Sequence, residues 1–217
     1  GLCRAIGQFG PRRVLIVTDA VLVKLGLVEP LRRALEEQGI AVAVHDGITP
    51  DPTYPVLEAG HATARAHRAD ALLAIGGGSV IDAAKVIGAM YTSGKSPQRL
   101  VGTLKLGCAP LPLYVIPTTA GTGSEVTVAA VVTDPVAHAK SAVVDPRIVP
   151  AATALDPLMM RGMPPHITAA TGMDALTHAV EAYTNRWPHP DTASLSIGAV
   201  KLVFANLPRA VAEGGDL

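Results

Sequence analysis

The chain has 217 residues, 49% of them hydrophobic, and 18 Lys and Arg balance 18 Asp and Glu to a formal net charge of +0. That length can bury the core of one large domain or one and a half, and the even balance removes the basic footprint that nucleic-acid or anionic-membrane binding requires, so the predicted partner is a small molecule. The two cysteines, Cys3 and Cys108, stand far apart in no CxxC pairing, which argues against a disulfide framework or cysteine metal site and fits a reducing, cytoplasmic compartment.

The sequence begins at Gly1 rather than Met and enters a fold-like pattern at once, which predicts a trimmed or partial chain. Residues 14–18 read as a buried strand, 27–38 as an amphipathic helix stopped by Gly39, and 41–45 as a second strand. After the turn at Thr49-Pro50-Asp51-Pro52, helical spacing runs over 54–68, followed by a third strand at 71–75. Gly76 to Ser79 ends that strand, and 80–91 is helical again. Residues 113–116 form a short strand closed by Pro117, and 126–133 and 141–144 form a strand pair around Asp134-Pro135. Beyond Pro150, proline punctuation gives way to helices over 168–183 and 192–206. Strands alternating with helices predict a parallel α/β domain over 1–152, and residues 153–217 the start of a helical domain. No uninterrupted apolar run approaches the ~18 residues of a membrane helix, and no basic-then-apolar leader pattern opens the chain.

Three constellations carry chemistry. At Ile75-Gly76-Gly77-Gly78-Ser79-Val80-Ile81-Asp82-Ala83-Ala84-Lys85, a strand, a glycine turn and a helix start follow one another. Glycines let backbone amides approach an anion, and the helix presents unpaired N–H groups with a favourable dipole, so a pyrophosphate fits. A tight connection is the alternative, since the spacing is not GxGxxG; Asp82 and Lys85 would then be first-turn and solvent-facing residues. Pro117-Thr118-Thr119-Ala120-Gly121-Thr122-Gly123-Ser124-Glu125-Val126-Thr127 supplies hydroxyls directly after a strand, suited to phosphate and ribose, or simply a threonine-rich turn with local caps. Asp174 and His178 lie four apart on a predicted helix, on one face, where both reach one Fe²⁺ or Zn²⁺ ion; an ordinary surface contact is the other reading. Among the remaining histidines, His45, His61 and His67 read as packing or surface residues, and His189 lies in a loop of unpredicted direction.

These motifs, in this order and spacing, resemble the iron-containing alcohol dehydrogenase family over essentially the whole chain: Thr18-Asp19, the block from Gly76 to Lys85, Pro117 to Thr127, Lys140, Asp156-Pro157 and residues 168–183. The resemblance implies a Rossmann-like, parallel-sheet α/β dinucleotide-binding domain followed by an all-helical metal-binding domain, in a dehydroquinate-synthase-like architecture, assembled as homodimers or larger homo-oligomers. It implies that Gly77, Gly78 and Ser79 cradle the pyrophosphate with Asp82 nearby, that Thr118, Thr119, Thr122 and Thr127 contact cofactor, and that Lys140 approaches the nicotinamide ribose. Asp19 lies beside the adenosine ribose, where a carboxylate repels the 2′-phosphate of NADP and selects NAD; capping of the following helix is its plain alternative. Asp174 and His178 match the first two of four metal ligands.

Three departures from the family pattern stand out. The family's initial strand before Gly1 is short or missing. The chain stops at Leu217, before the two later histidines would occur, so it carries half a metal site. The family often has an asparagine where this sequence has Asp51, and a carboxylate beside a diphosphate is unfavourable unless turned away or screened. The implied reaction is NAD-dependent, divalent-metal-dependent interconversion of a small primary or secondary alcohol and its aldehyde or ketone, with Fe²⁺, or Zn²⁺ or another divalent ion, polarising the C–O bond. The rival readings are a non-catalytic nucleotide-binding fragment and a glycerol-dehydrogenase-like or dehydroquinate-synthase-like relative.

Overall fold

In chain order, the first elements are α1 (Leu2–Phe9), β1 (Arg13–Val17), α2 (Ala20–Lys24), α3 (Glu29–Glu36), β2 (Ala41–His45), α4 (Tyr54–His67), β3 (Ala71–Gly76) and α5 (Gly78–Ser93). There follow α6 (Pro97–Leu100), β4 (Gly102–Thr103), β5 (Leu113–Pro117), β6 (Ala129–Asp134), β7 (Ala139–Val144), β8 (Ala152–Thr153), α7 (Pro165–Thr184) and α8 (Pro190–Ala212). The structure, a computed structural model, describes residues 1–186 and 189–215. The predicted loop at Trp187-Pro188 lies outside the described residues. Two compact units result, Gly1–Pro117 with Ser124–Leu155, and Thr118–Gly123 with Asp156–Leu217.

The first unit is built on a five-stranded sheet of order β2-β1-β3-β5-β8, in which every neighbouring pair is parallel. Val14 to Val17 and all of β3 and β5 are buried, as strands covered on both faces must be, so their sequences are apolar runs rather than alternations. A second sheet, of order β4-β7-β6, holds the predicted hairpin, with β6 and β7 antiparallel. Between the sheets runs α5, packed against β3, β5 and β6 and buried at every position from Val80 to Met90. A helix covered on all sides shows no polar stripe, and the buried stretch of this one is Ala, Val, Ile, Gly88 and Met90 with one Asp and one Lys.

The structure adds elements that the sequence pattern did not mark. α1 lies at the start of the chain and was not marked, α2 is too short to set up a helical period, and the single helix predicted over 27–38 is confined to Glu29–Glu36, ending in a left-handed turn at Gly39 (φ 78°). β8 is two residues long and extends the sheet past the predicted domain boundary near Ala152.

In the second unit α7 and α8 pack along each other. A Cβ on Gly172 would lie 2.3 Å from Leu207 Cδ1, so glycine there lets the two helices approach. Among the described residues α8 is the one helix long and apolar enough, by length and composition, to cross a membrane. The sequence reading looked for uninterrupted runs, and Ser, Gly and Lys201 break this one without greatly lowering its average.

Candidate functional site

The order of the parallel sheet reverses at β1: β2 lies on one side, and β3, β5 and β8 follow on the other. Such a switch point leaves a crevice outside the carboxyl ends of the two strands, the usual ligand position in open α/β sheets. Val17 pairs with Ala74, so the residues following β1 and β3 emerge side by side. Thr18, fully buried, ties these ends together by donating its hydroxyl to Ile75 O at 2.8 Å. Gly77, extended at φ −77° and ψ −173°, is the N-cap of α5. Across residues 71–90, only Gly77, Gly78 and Ser79 are not buried. The first turn of any helix leaves N–H groups without intrahelical acceptors, and here it is the turn alone that meets solvent. A Cβ on Gly76 would lie 2.5 Å from Val80, which fixes glycine at the strand exit.

Beside this turn stand three charged residues. Asp19, half-buried, caps α2: its Oδ1 accepts from Val21 N–H at 2.9 Å and Leu22 N–H at 3.0 Å. Asp51 has a left-handed backbone (φ 52°), and its N–H donates to Ser79 Oγ at 3.3 Å. Its carboxylate pairs with Lys140 Nζ at 2.7 Å, so the charge that would repel a diphosphate is screened by the lysine that the family resemblance places at the ribose.

Asp82 and Lys85 face inward, against the solvent-facing alternative. β6 is an edge strand, and its free edge is closed by side chains and a loop rather than by another strand. Lys85, 2% exposed, donates to Thr127 O (2.9 Å), Thr127 Oγ1 (2.9 Å) and Ala129 O (2.7 Å), using all three ammonium donors. Asp82 Oδ2 accepts from Val131 N–H at 2.8 Å, and Thr133 N–H donates to Pro52 O at 2.9 Å. Burial pushes the Lys85 ammonium down to about 8 and the Asp82 carboxyl up. Asp82 therefore reaches β6, and Thr127 is held by Lys85. Sequence spacing gives no sign of this edge closure, since the partners lie more than 40 residues apart.

In the second unit the loop Thr118–Gly123 packs on α7. A Cβ on Gly121 would lie 2.2 Å from Thr171 O, so only glycine allows that approach, one turn before Asp174. Thr118 is buried, and Thr119 and Thr122 are half-buried. Asp174 Oδ2 and His178 Nε2 lie 3.6 Å apart on one face of α7, both substantially exposed, so a carboxylate oxygen and an imidazole nitrogen are free to turn to one cation. No group of three or more His, Cys, Asp or Glu side chains suited to a metal occurs among the described residues. The donor pair fits a divalent ion of the Fe²⁺ or Zn²⁺ type and supplies half of a tetrahedral shell. His189 caps α8, its Nδ1 accepting from Asp191 N–H at 3.3 Å.

Comparison with known proteins agrees with this geometry. The model of the iron-containing alcohol dehydrogenase family matches residues 2–157, and that of the C-terminal domain of the Fe-containing alcohol dehydrogenase family matches residues 168–217. The chain belongs to the iron-containing alcohol dehydrogenase family. It is 41% identical to alcohol dehydrogenase 4 of Schizosaccharomyces pombe over 98% of this chain and 50% of that protein. It is 40% identical to the NAD-dependent methanol dehydrogenase of Bacillus methanolicus over 97% of this chain and 55% of that one. The solved structure of sulfoacetaldehyde reductase from Bifidobacterium kashiwanohense in complex with NAD⁺ superposes with a TM-score of 0.91 at 32% identity, covering 99% of this chain and 57% of that chain. The chain thus spans about half the length of the relatives it matches. Within the iron-containing alcohol dehydrogenase fold, the sequence reading missed Thr18 as the tie between strand ends and Lys85 as the clamp on β6. A buried Thr beside Asp19 was visible as a strand terminus, but nothing marked its acceptor.

Proposed function

We propose that this chain supplies the dinucleotide-binding unit and two metal ligands of an NAD-dependent, divalent-metal-dependent alcohol dehydrogenase acting on a small primary or secondary alcohol, or the corresponding aldehyde or ketone. The observation that carries this reading is the partly exposed turn Gly77-Gly78-Ser79 at the β1/β3 switch point, in a chain matched along most of its length by the family's models. The turn's amides bind the pyrophosphate and Asp19 accepts from the adenosine ribose. Thr118, Thr119, Thr122 and Thr127 contact the cofactor, and Lys140 approaches the nicotinamide ribose. The dinucleotide, when bound, would supply the hydride acceptor or donor for the alcohol or its carbonyl product. Asp174 and His178 would hold the metal ion, which when bound polarises the C–O bond as a Lewis acid. Two unpaired cysteines are in keeping with a cytoplasmic setting, and the balanced charge with a small-molecule partner rather than a nucleic acid or membrane, in a homo-oligomer.

The test is nicotinamide-linked oxidation of short alcohols and diols with Fe²⁺ or Zn²⁺ supplied, by the chain extended to the length of its relatives. Turnover lost on chelation supports the reading, and no turnover with any metal contradicts it. A second reading, a nucleotide-binding module without catalysis, is favoured by one observation: only two metal donors stand together in the described chain. It predicts dinucleotide binding with no alcohol oxidation by the extended chain, even with metal in excess.

A further inference from the structure

Asp51 occupies a position that the geometry holds firmly. Prolines flank it on both sides. Pro52 O accepts from Thr133 N–H at 2.9 Å, and Thr53 bridges to Thr133, so the segment is fastened to β6. Its N–H reaches Ser79 Oγ in the glycine turn, and its left-handed φ of 52° is a conformation that Asp and Asn tolerate better than most residues. The carboxylate is thus fixed at the rim of the turn, where the anion of the proposed cofactor would sit.

Lys140 is fixed on the same side of the turn by the β6/β7 pairing, in which Thr133 lies opposite Lys140. The strand residue that anchors Pro52 is therefore the cross-strand partner of the lysine that meets Asp51. Both side chains are more than half exposed, and their contact at 2.7 Å is a surface ion pair. Such pairs are worth ~1 kcal/mol or less, so this one is made and broken readily.

We propose that Asp51 is an affinity-setting residue that competes with the dinucleotide for Lys140. Without cofactor, the carboxylate holds the ammonium at the rim of the glycine turn. Cofactor binding requires Lys140 to leave Asp51 for the cofactor's phosphate and ribose oxygens, and leaves a carboxylate unpaired beside a diphosphate. The lysine is pre-positioned, but the exchange weakens the complex and favours release of the bound dinucleotide. Asparagine at this position would keep the backbone conformation and the N–H donor while removing the competitor. The proposal rests on the dinucleotide reading of the turn and concerns residues of the first unit alone.

The experiment is a double-mutant cycle read by isothermal titration calorimetry of NAD⁺ into the chain, using Asp51→Asn, Lys140→Met and the pair together. Asp51→Asn should tighten binding about twofold to fivefold, the range set by a surface ion pair. Lys140→Met should weaken it, and in the Lys140→Met background Asp51→Asn should tighten binding clearly less than it does beside the lysine, because only the carboxylate's repulsion of the diphosphate is then removed and no lysine is left to compete for. An equal gain in both backgrounds would overturn the exchange in favour of simple repulsion. No gain in either would overturn any role for Asp51. Failure of the unsubstituted chain to bind NAD⁺ would instead remove the dinucleotide reading and this proposal with it. Circular dichroism of each variant confirms that the comparison is made between folded proteins.

Discussion

At the scale of single residues, polar groups near the strand ends each serve more than one partner. Asp19 uses Oδ1 to cap α2, the plain alternative weighed from the sequence, and capping leaves its second oxygen for a ribose hydroxyl. Replacing an N-cap Asp by Gly costs only a few tenths of a kcal/mol, so Asp19→Gly should leave the fold in place. Removing a charge that faces the 2′-phosphate should tighten NADP⁺ binding about tenfold or more, while NAD⁺ binding weakens by the lost ribose hydrogen bond. Comparing the two cofactors by calorimetry checks this, and an unchanged ratio would contradict it. His45 and His61 give a pH prediction. Burial lowers both imidazoles below the ordinary 6.5, more than Asp46 offsets for His45 and with help from Arg65 for His61. The unfolded chain therefore takes up these protons first, so stability is full above pH 6.5 and is lost as the pH falls below it. Urea midpoints measured between pH 7.5 and pH 5 should fall, and His45→Gln with His61→Gln should flatten the slope. A slope unchanged by the substitutions would assign the loss to other groups.

At the scale of elements, the parts legible in the sequence were those with enough residues to set a period. β2 has the predicted bounds, and α4, β3 and β5 match theirs to within one or two residues. α7 was visible from helix formers after Pro164-Pro165, although both its ends extend beyond the predicted 168–183. α8 runs past the predicted stop at 206 and carries Pro208 within it. The glycine turn, the threonine loop and the Asp174–His178 face were legible because local spacing alone creates them. The closure of the β6 edge was not, because it depends on which strand lies at the edge of the second sheet. Lys85→Met should expose the value of that closure. Thr127 O and Thr127 Oγ1 lose a donor, whereas Ala129 O keeps the one from Thr127 Oγ1, at ~1–3 kcal/mol for each group left unsatisfied. We expect a loss of ~3 kcal/mol in the urea-derived stability of the chain, since water will recover part of the gross cost. A loss under ~1 kcal/mol would show that β6 is held by its apolar contacts alone.

At the scale of the molecule, the two units divide the chemistry between them. The first carries the turn for an anion, with Asp19, Asp51 and Lys140 around it, and the second carries the threonine loop and the two metal donors on α7. Balanced charge does not pull a dinucleotide in from a distance, so in the proposed site recognition would fall to the local field of one helix terminus and its amides. The glycine turn is accordingly where the account is most exposed to disproof. The decisive measurement is calorimetric titration of NAD⁺ and NADH into the chain and into Gly78→Asp, alongside circular dichroism and thermal melting of both. The account predicts binding by the unsubstituted chain, and none by the variant at the same concentrations, with the helical signal and melting temperature retained, because a carboxylate then sits where the pyrophosphate needs amides. Unchanged affinity in a folded Gly78→Asp variant would contradict it.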